Sequence, residues 1–290
     1  MSIRENPPRN GDGDRAAGVA EGSNGDASAL PSTRRAATNA GSFGPPDQTW
    51  IAGGNPTRRS FRGGSYIALL LLAACHPKPA ADNAFPEATR DVAPIVSDQF
   101  STEDARDRLG EAEEVMKRSG VAKGMSVADI GAGEGYYTVR LSPAVGAKGR
   151  VLAEDIVPDV RDRLAQRVQR EGLDNVSVRL GAPEDPRLPP RSFDRIFLVH
   201  MYHEVTAPYA FLWHLRDGLA ADGEVVVVDA DRPARHHGMP PAALVCEFAA
   251  LGFKPVRQAE LAGGEAYLMS FRIAAPRPEP GAIKPCAMKA

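Results

Sequence analysis

The pattern with the clearest chemical meaning is a glycine-rich turn near the middle of the chain. The apolar run Val127–Ile130 contains one acid, Asp129, and is followed at alternate positions by Gly131, Gly133 and Gly135. Glycine permits both a sharp turn and the close approach of a ligand to the backbone. Such a turn joins a buried strand to a helix, so the sequence predicts a ligand site where that strand ends.

The spacing of the glycines distinguishes two classes of ligand. Dinucleotide-binding enzymes use G-x-G-x-x-G, with the pyrophosphate on the helix N-terminus. Here the third glycine of that pattern falls on Tyr136, which would hold the helix away from the strand. Asp129 would also repel a phosphate and favour a cationic ligand. The pattern acid-x-G-x-G-x-G resembles the first motif of class I S-adenosylmethionine-dependent methyltransferases, and an NAD-dependent oxidoreductase is the alternative.

The resemblance implies that S-adenosylmethionine is the cofactor and assigns roles to several acids. It places the glycine turn against the methionine part, where Asp129 contacts the cofactor directly or through water. It also implies that Asp155, at the end of the second predicted strand, accepts hydrogen bonds from both ribose hydroxyls; a helix N-terminal acid is the alternative reading. Many relatives carry Asp at the position of Ala182, near the adenine amino group, so Glu184 or Asp185 is expected to make that contact here.

A second polar segment, His200–Glu204, follows the fourth predicted strand. By the same resemblance it faces the transferred methyl group, so Tyr202, His203 and Glu204 are candidates for orienting the acceptor or removing its proton. The alternative is a capped helix start with a packed tyrosine. The histidines here, with His236–His237, also raise the question of a metal. Because H-x-x-H-E differs from the H-E-x-x-H pattern that places two histidines and a base on one helix, no metal is expected.

Strands and helices alternate along the part of the chain that must position these residues. The predicted strands span 125–130, 150–156, 176–180, 193–199 and 224–229, followed by β-like segments at 254–259 and 265–273. Alternation of this kind implies a parallel sheet, and Gly263-Gly264 predicts a hairpin between the last two segments. The fold class is therefore α/β: a Rossmann-like, seven-stranded, mostly parallel sheet with a terminal antiparallel hairpin. The resemblance covers residues 98–274, the predicted methyltransferase domain.

Composition narrows the range of partners. The 35 basic and 37 acidic side chains leave a net charge of −2, so no basic face for nucleic acid is expected. A small-molecule acceptor is the expectation, and a lipid or a protein acceptor is left open by the sequence. The three cysteines form no C-x-x-C pair, which argues against a zinc cage or a redox pair. A disulfide between Cys246 and Cys286 is not expected, because Cys286 lies in a proline-rich tail. That tail, residues 275–290, and the extension 1–64 are predicted to be disordered.

A signal-like segment lies at residues 57–75. The basic stretch Thr57–Arg62 precedes the apolar run Tyr66–Cys75, which is far shorter than the ~20 residues needed to span a bilayer. Leu72–Cys75 resembles a bacterial lipobox, and Thr57–Arg62 resembles a twin-arginine export motif. The sequence thus indicates a periplasmic or membrane-anchored lipoprotein attached through Cys75, with residues 76–97 as a tether. The alternative is a cytoplasmic protein in which this run is a buried element.

Two observations complicate this interpretation. Dozens of residues precede the signal, and there is no methionine between Met1 and Met116. Translation is therefore expected to start downstream of Met1, at a non-AUG codon written here as a residue such as Val19 or Leu30. In addition, the cofactor is made in the cytosol, so an exported enzyme would lack a supply. A non-catalytic nucleoside-binding lipoprotein with the same fold is for this reason a further alternative.

Overall fold

The computed structural model describes residues 84–95 and 102–287. The predictions for the extension 1–64 and for the signal segment 57–75 lie outside these residues. Within the described part of the chain, no helix combines the length and the apolar character needed to cross a bilayer.

Seven strands of the described residues form one sheet, in the order β3-β2-β1-β4-β5-β7-β6. They are β1 (Ser126–Ile130), β2 (Arg150–Asp155), β3 (Val176–Leu180), β4 (Phe193–Val199), β5 (Leu219–Ala230), β6 (Phe253–Glu260) and β7 (Ala266–Ile273). Strands β1 to β5 pair in parallel, whereas β7 is antiparallel to both β5 and β6. The predicted α/β class, the seven strands and the terminal hairpin are confirmed.

The α-helices lie between these strands and ahead of the first one. They are α1 (Glu103–Arg108), α2 (Glu111–Arg118), α3 (Tyr136–Val145), α4 (Pro158–Arg170), α5 (Pro208–Leu215) and α6 (Pro241–Ala250). The apolar residues before Gly120 have a spacing that would fit a single helix, but the chain forms two there. Gly110, between them, has a φ of +64°, which interrupts the helix in the left-handed region.

The core has two layers, one on each face of the sheet. Val225 and Val227 of β5 pack into the layer that contains α5 and α6, while Val226 and Val228 pack into the layer that contains α2 and α3. Neighbours on a strand face opposite sides, so a strand buried on both faces reads as a continuous apolar run. This sandwich holds the central strands rigidly and fixes where their carboxyl ends lie.

Strand order reverses between β1 and β4. From β1 the chain moves outward through β2 and β3, and then returns to β4 on the other side of β1. Loops that leave the carboxyl ends of β1 and β4 therefore diverge and open a crevice between them, which is where open α/β sheets bind ligands.

Part of the predicted tether packs against this domain. Arg90 lies buried with Glu247 of α6, with Nε 2.9 Å from Oε1. The backbone N–H of Ala93 donates to the carbonyl of His203 at 3.1 Å. Residues 84–95 are thus an ordered part of the folded unit, which corrects the prediction that they serve only as a tether.

The tail is likewise packed, and the cysteine prediction was wrong. Cys246 of α6 and Cys286 form a disulfide, with Cα atoms 6.0 Å apart. Ile283 and Cys286 are buried, and the Arg277 guanidinium stacks on Trp213. A proline-rich composition indicates disorder, but it does not register the buried contacts and cross-links that can order such a segment. The described tail residues, up to 287, have both.

Candidate functional site

The main crevice of the described residues opens at the carboxyl ends of β1, β2 and β4. Its cavity has a volume of about 400 Å³, within the range of small-ligand sites. Beyond the glycine turn and the strand ends, residues of α1 and the apolar side chains of Ile95, Val205 and Phe211 contribute to its walls. The cavity therefore lies where the reversal of strand order predicts it.

The glycine turn has the conformation that its sequence requires. Gly131, Gly133 and Gly135 have φ values of +67°, +56° and +93°. A Cβ atom at Gly131 would lie 2.9 Å from Cγ of Met201, and one at Gly135 would lie 2.6 Å from Cδ1 of Leu164 in α4. Gly131 and Gly133 line the crevice. Gly135 instead allows α3 to begin close against α4.

Asp129 lies behind this turn. Its side chain is buried, and its Oδ2 accepts a hydrogen bond from the Thr138 hydroxyl of α3 at 2.6 Å. Burial raises the pKa of Asp129 to about 6, although the Thr138 hydrogen bond opposes that shift. The structure therefore places Asp129 as a link between β1 and α3, outside the set of residues that line the crevice.

Asp155 lies in the crevice at the end of β2. Its Oδ2 accepts from the backbone N–H of Gly133 at 3.0 Å, and its Oδ1 accepts from the backbone N–H of Val157 at 2.9 Å. Burial raises the pKa of Asp155 despite these two hydrogen bonds. A carboxylate oxygen has two lone pairs, so each oxygen can accept one further bond. The side chain is thus an oriented acceptor for a diol, as the resemblance implies.

Glu154, next to it, also lines the crevice and is almost completely buried. Burial raises the pKa of Glu154 to about 8, and Arg179, whose Nη2 lies 3.3 Å from its Oε2, opposes the shift. A Cβ at Gly181 would meet this carboxyl group, so a larger residue there would require the Glu154 side chain to move. At neutral pH this raised pKa favours the protonated form of Glu154 in the crevice wall.

The predicted adenine contacts are not found in the crevice. Ala182 and Pro183 line it, but Glu184 is exposed and Asp185 points into its own turn. Oδ1 of Asp185 accepts from the backbone N–H of Arg187 at 2.7 Å. The turn after β3 bridges Ala182 to Asp185, and neither Glu184 nor Asp185 is among the residues that line the crevice, so the adenine contact expected of them stays a prediction.

The three catalytic candidates after β4 take different positions. Tyr202 is completely buried, and its hydroxyl donates to Oε2 of Glu247 at 2.8 Å. It therefore packs as the alternative interpretation proposed, away from the crevice. Glu204 is half-buried and lines the crevice. Of the three, Glu204 is the one whose side chain reaches the cavity wall.

His203 is held by Asp229 at the end of β5. Both side chains are completely buried, and Nδ1 of His203 lies 3.0 Å from each carboxylate oxygen of Asp229. Because an ionised carboxylate can only accept, Nδ1 carries a proton and donates, which leaves Nε2 as the ring nitrogen that can contact another partner. His203 is thus an oriented imidazole one layer behind Glu204.

A further pair, of which His200 lines the crevice and Glu111 lies behind it, was not predicted from the sequence. His200 lines the cavity with a φ of +52°, unusual for a residue other than glycine. Its Nε2 lies 3.3 Å from Oε2 of Glu111 in α2, and Oε1 of Glu111 accepts from Nη2 of Arg106 at 2.7 Å. Burial by itself would raise the pKa of Glu111, but hydrogen bonds from His200 and Arg106 outweigh it and lower the pKa to about 2.

Comparison with known proteins agrees with this geometry. Residues 127–223 match the family model of a methyltransferase domain. The chain is similar to a protein-L-isoaspartate O-methyltransferase of Methanococcoides burtonii, with 28% identity over 112 residues, covering 37% of this chain and 50% of the relative. It is also similar to a demethylmenaquinone methyltransferase of Geobacillus stearothermophilus, with 32% identity over 84 residues, covering 29% and 36%. The chain thus spans about half the length, or less, of these curated relatives.

Among solved structures, the described fold is similar to that of a SAM-dependent methyltransferase from Aquifex aeolicus. The TM-score is 0.55 with 27% sequence identity, and the match covers 59% of this chain and 93% of the other.

Proposed function

We propose that this chain, whose central domain is an S-adenosylmethionine-dependent methyltransferase domain, transfers a methyl group from that cofactor to a small-molecule acceptor. The observation that carries the proposal is the arrangement of Asp155 and the glycine turn at the reversal of strand order. An oriented acceptor carboxylate lies one strand away from a backbone turn that a ligand can approach closely.

The residues of the crevice fit this cofactor. Gly131 and Gly133 would lie against the methionine part, because they leave the backbone uncovered at the end of β1. Asp155 would accept from the ribose hydroxyls. Ile156 and Ala182 offer apolar surface for the base where the expected acids are absent. Arg106 of α1, which also lines the crevice, supplies a positive charge suited to the methionine carboxylate.

The chemistry divides between cofactor and protein. When bound, the cofactor supplies a methyl group already activated on a sulfonium. The chain has to hold the acceptor in line with that group, and orientation of two reactants can contribute several kcal/mol, up to roughly 7–11. Glu204 lies on the wall next to the end of β4, where it can orient an acceptor or take its proton. A general base of this kind contributes about 10²–10⁴-fold in rate.

The shape of the crevice favours a small acceptor. Thr102 at the N-cap of α1, Arg106 within that helix, and Ile95 contribute to its walls, and the cavity is about 400 Å³. Val205 and Phe211 add apolar surface near Glu204. An acceptor with an apolar body and one ionisable group suits these walls better than a folded protein surface, although some relatives are named for protein substrates.

Calorimetry with S-adenosylhomocysteine and NAD tests the cofactor site. We expect the full chain to bind S-adenosylhomocysteine and not NAD. Asp155→Ala should weaken that binding at least tenfold, whereas the matched variant Asp159→Ala should not, because Asp159 is exposed on the first turn of α4. Tighter binding of NAD, or an unchanged affinity in Asp155→Ala, would refute the assignment.

We also propose that the chain is exported and anchored through Cys75. Residues 57–75 have the layout of a lipoprotein signal. The Cys246–Cys286 disulfide supports export independently, because disulfides persist in oxidising compartments. Fractionation of cells should find the protein in the membrane fraction, and Cys75→Ser should shift it out of that fraction. Recovery of both forms from the cytosol would contradict the proposal.

A further inference from the structure

We propose that His203, Glu204 and His237 form a binding site for a divalent transition-metal ion at the acceptor end of the crevice. One ligand atom from each residue lies within 4.8 Å of the others, a separation that one ion can bridge. The metal site stands on its own geometry. Its suggested action on the acceptor rests on the proposed function.

His203 has the surroundings of a metal ligand. Its ring is completely buried, and Asp229 accepts the hydrogen bond from Nδ1. Its Nε2 is also buried, and no described residue gives it a hydrogen-bond partner. A buried acceptor nitrogen without a partner costs about 1–3 kcal/mol. A carboxylate that fixes one ring nitrogen while the other points at an ion is the common second shell of metal-bound histidine.

His237 approaches from a different element. It ends the short turn Ala234–His236 after β5 with a φ of +55°, a strained conformation for histidine. Its Nδ1 is buried and likewise has no hydrogen-bond partner within residues 84–95 and 102–287. The two imidazole rings meet edge to face, with centroids 5.6 Å apart. Two histidines from separate loops thus bring unsatisfied nitrogens to one place.

Glu204 completes the set with a carboxylate from the crevice wall. Two histidines and one carboxylate are the ligands of catalytic zinc sites, which keep a coordination position open for water or substrate. Oxygen-rich ligand sets suit Mg²⁺ and Ca²⁺ instead. Because Glu204 lines the cavity, an ion held by these three residues would be close to an acceptor bound there and would lower the pKa of an acceptor oxygen that it contacts.

The three residues come from two different elements, so the H-E-x-x-H pattern could not indicate this metal site. The H-E-x-x-H pattern places two histidines on one helix, but this site takes His203 from the turn after β4 and His237 from the loop after β5. The chain returns to the same edge of the sheet after each of these adjacent strands.

Metal content measured by mass spectrometry tests the site without any turnover assay. After chelator treatment and dialysis against Zn²⁺, we expect the full chain to retain one zinc ion. His237→Ala should weaken zinc binding at least tenfold, and Asp229→Asn by about 10–100-fold through loss of the second shell. His236→Ala is the matched control, because this exposed neighbour lies outside the cluster. Co²⁺ should give visible absorption bands in the wild type that disappear in His237→Ala.

The same samples, titrated with S-adenosylhomocysteine, separate the two proposals. Retained nucleoside binding in His237→Ala shows that this variant is folded and that its loss of zinc is local. If wild type and His237→Ala retain equal amounts of zinc, or if neither retains any, the metal site is refuted and the His203–Asp229 pair is structural. If zinc binds but S-adenosylhomocysteine does not, the methyltransferase proposal fails and the metal site stands.

Discussion

Removal of the Cys246–Cys286 disulfide should destabilise the domain strongly. The bond joins residues 40 positions apart. Closing a loop of that length removes about 13 cal/mol/K of entropy from the unfolded chain, which corresponds to about 4 kcal/mol at 25 °C. Cys286 is buried in the tail and Cys246 lies in α6, so the bond also holds the tail against that helix.

Urea unfolding followed by circular dichroism measures this contribution. We expect Cys286→Ala to lower the free energy of unfolding by about 4 kcal/mol and the melting temperature by about 8–16 °C, at the 2–4 °C per kcal/mol typical of domains of this size. Wild-type protein in reductant should match the variant, which separates the cross-link from the loss of the side chain. The double variant with Cys246→Ala should be little worse than either single variant, because both remove the same bond.

One result would refute this reasoning. If oxidised and reduced wild type unfold at the same urea concentration, the disulfide does not form in the folded protein. The tail would then depend on its other contacts alone, and the support for export that rests on the disulfide would be lost with it.

Two further predictions concern the crevice. Gly131→Ala and Gly172→Ala both place a side chain at positive φ, so each should lower the free energy of unfolding by about 1–2 kcal/mol. Only Gly131→Ala should also lose S-adenosylhomocysteine affinity in calorimetry. A Cβ at Gly131 meets Met201, whereas nothing lies within 4 Å of a Cβ at Gly172. Equal affinities would refute the close approach at the turn. The pKa of Glu154 is about 8 in the folded protein, whereas the same group in the unfolded chain titrates near 4.5. Between these pH values only the folded state holds the proton. The contribution of Glu154 to the free energy of unfolding should therefore fall as pH rises, by at most about 1.4 kcal/mol per pH unit. Glu154→Gln should remove this slope from urea titrations, and parallel pH profiles for the two proteins would contradict it.

The sheet could be predicted from sequence because its signals are local. β3 and β4 have the predicted bounds, since each is a short apolar run between turn residues. The break at Gly110 was not predicted, because one glycine inside an apolar stripe costs a helix only about 1 kcal/mol and its outcome depends on packing. The packed tail was missed for a related reason, since composition does not report cross-links.

Some residues of the site follow from local sequence signals, and others depend on tertiary packing. Asp155 and Gly131 lie where the order of strands and the turn pattern place them, because both positions follow from a strand and its end. Glu111 and His200 are 89 residues apart, and only the packing of α2 over the sheet brings them together. The position of His237 depends on a strained loop conformation that no pattern of residue types encodes.

The described part of the chain begins against helix α5. The ring of Phe85 packs on Trp213 in the last turn of α5, with centroids 5.7 Å apart. Helix α5 runs back from the carboxyl end of β4, and Leu219, soon after it, pairs with Phe193 at the start of β4. Residues 84–95 thus run from the flank of α5 to Ile95 at the cavity wall, and so they tie these two regions of the domain together.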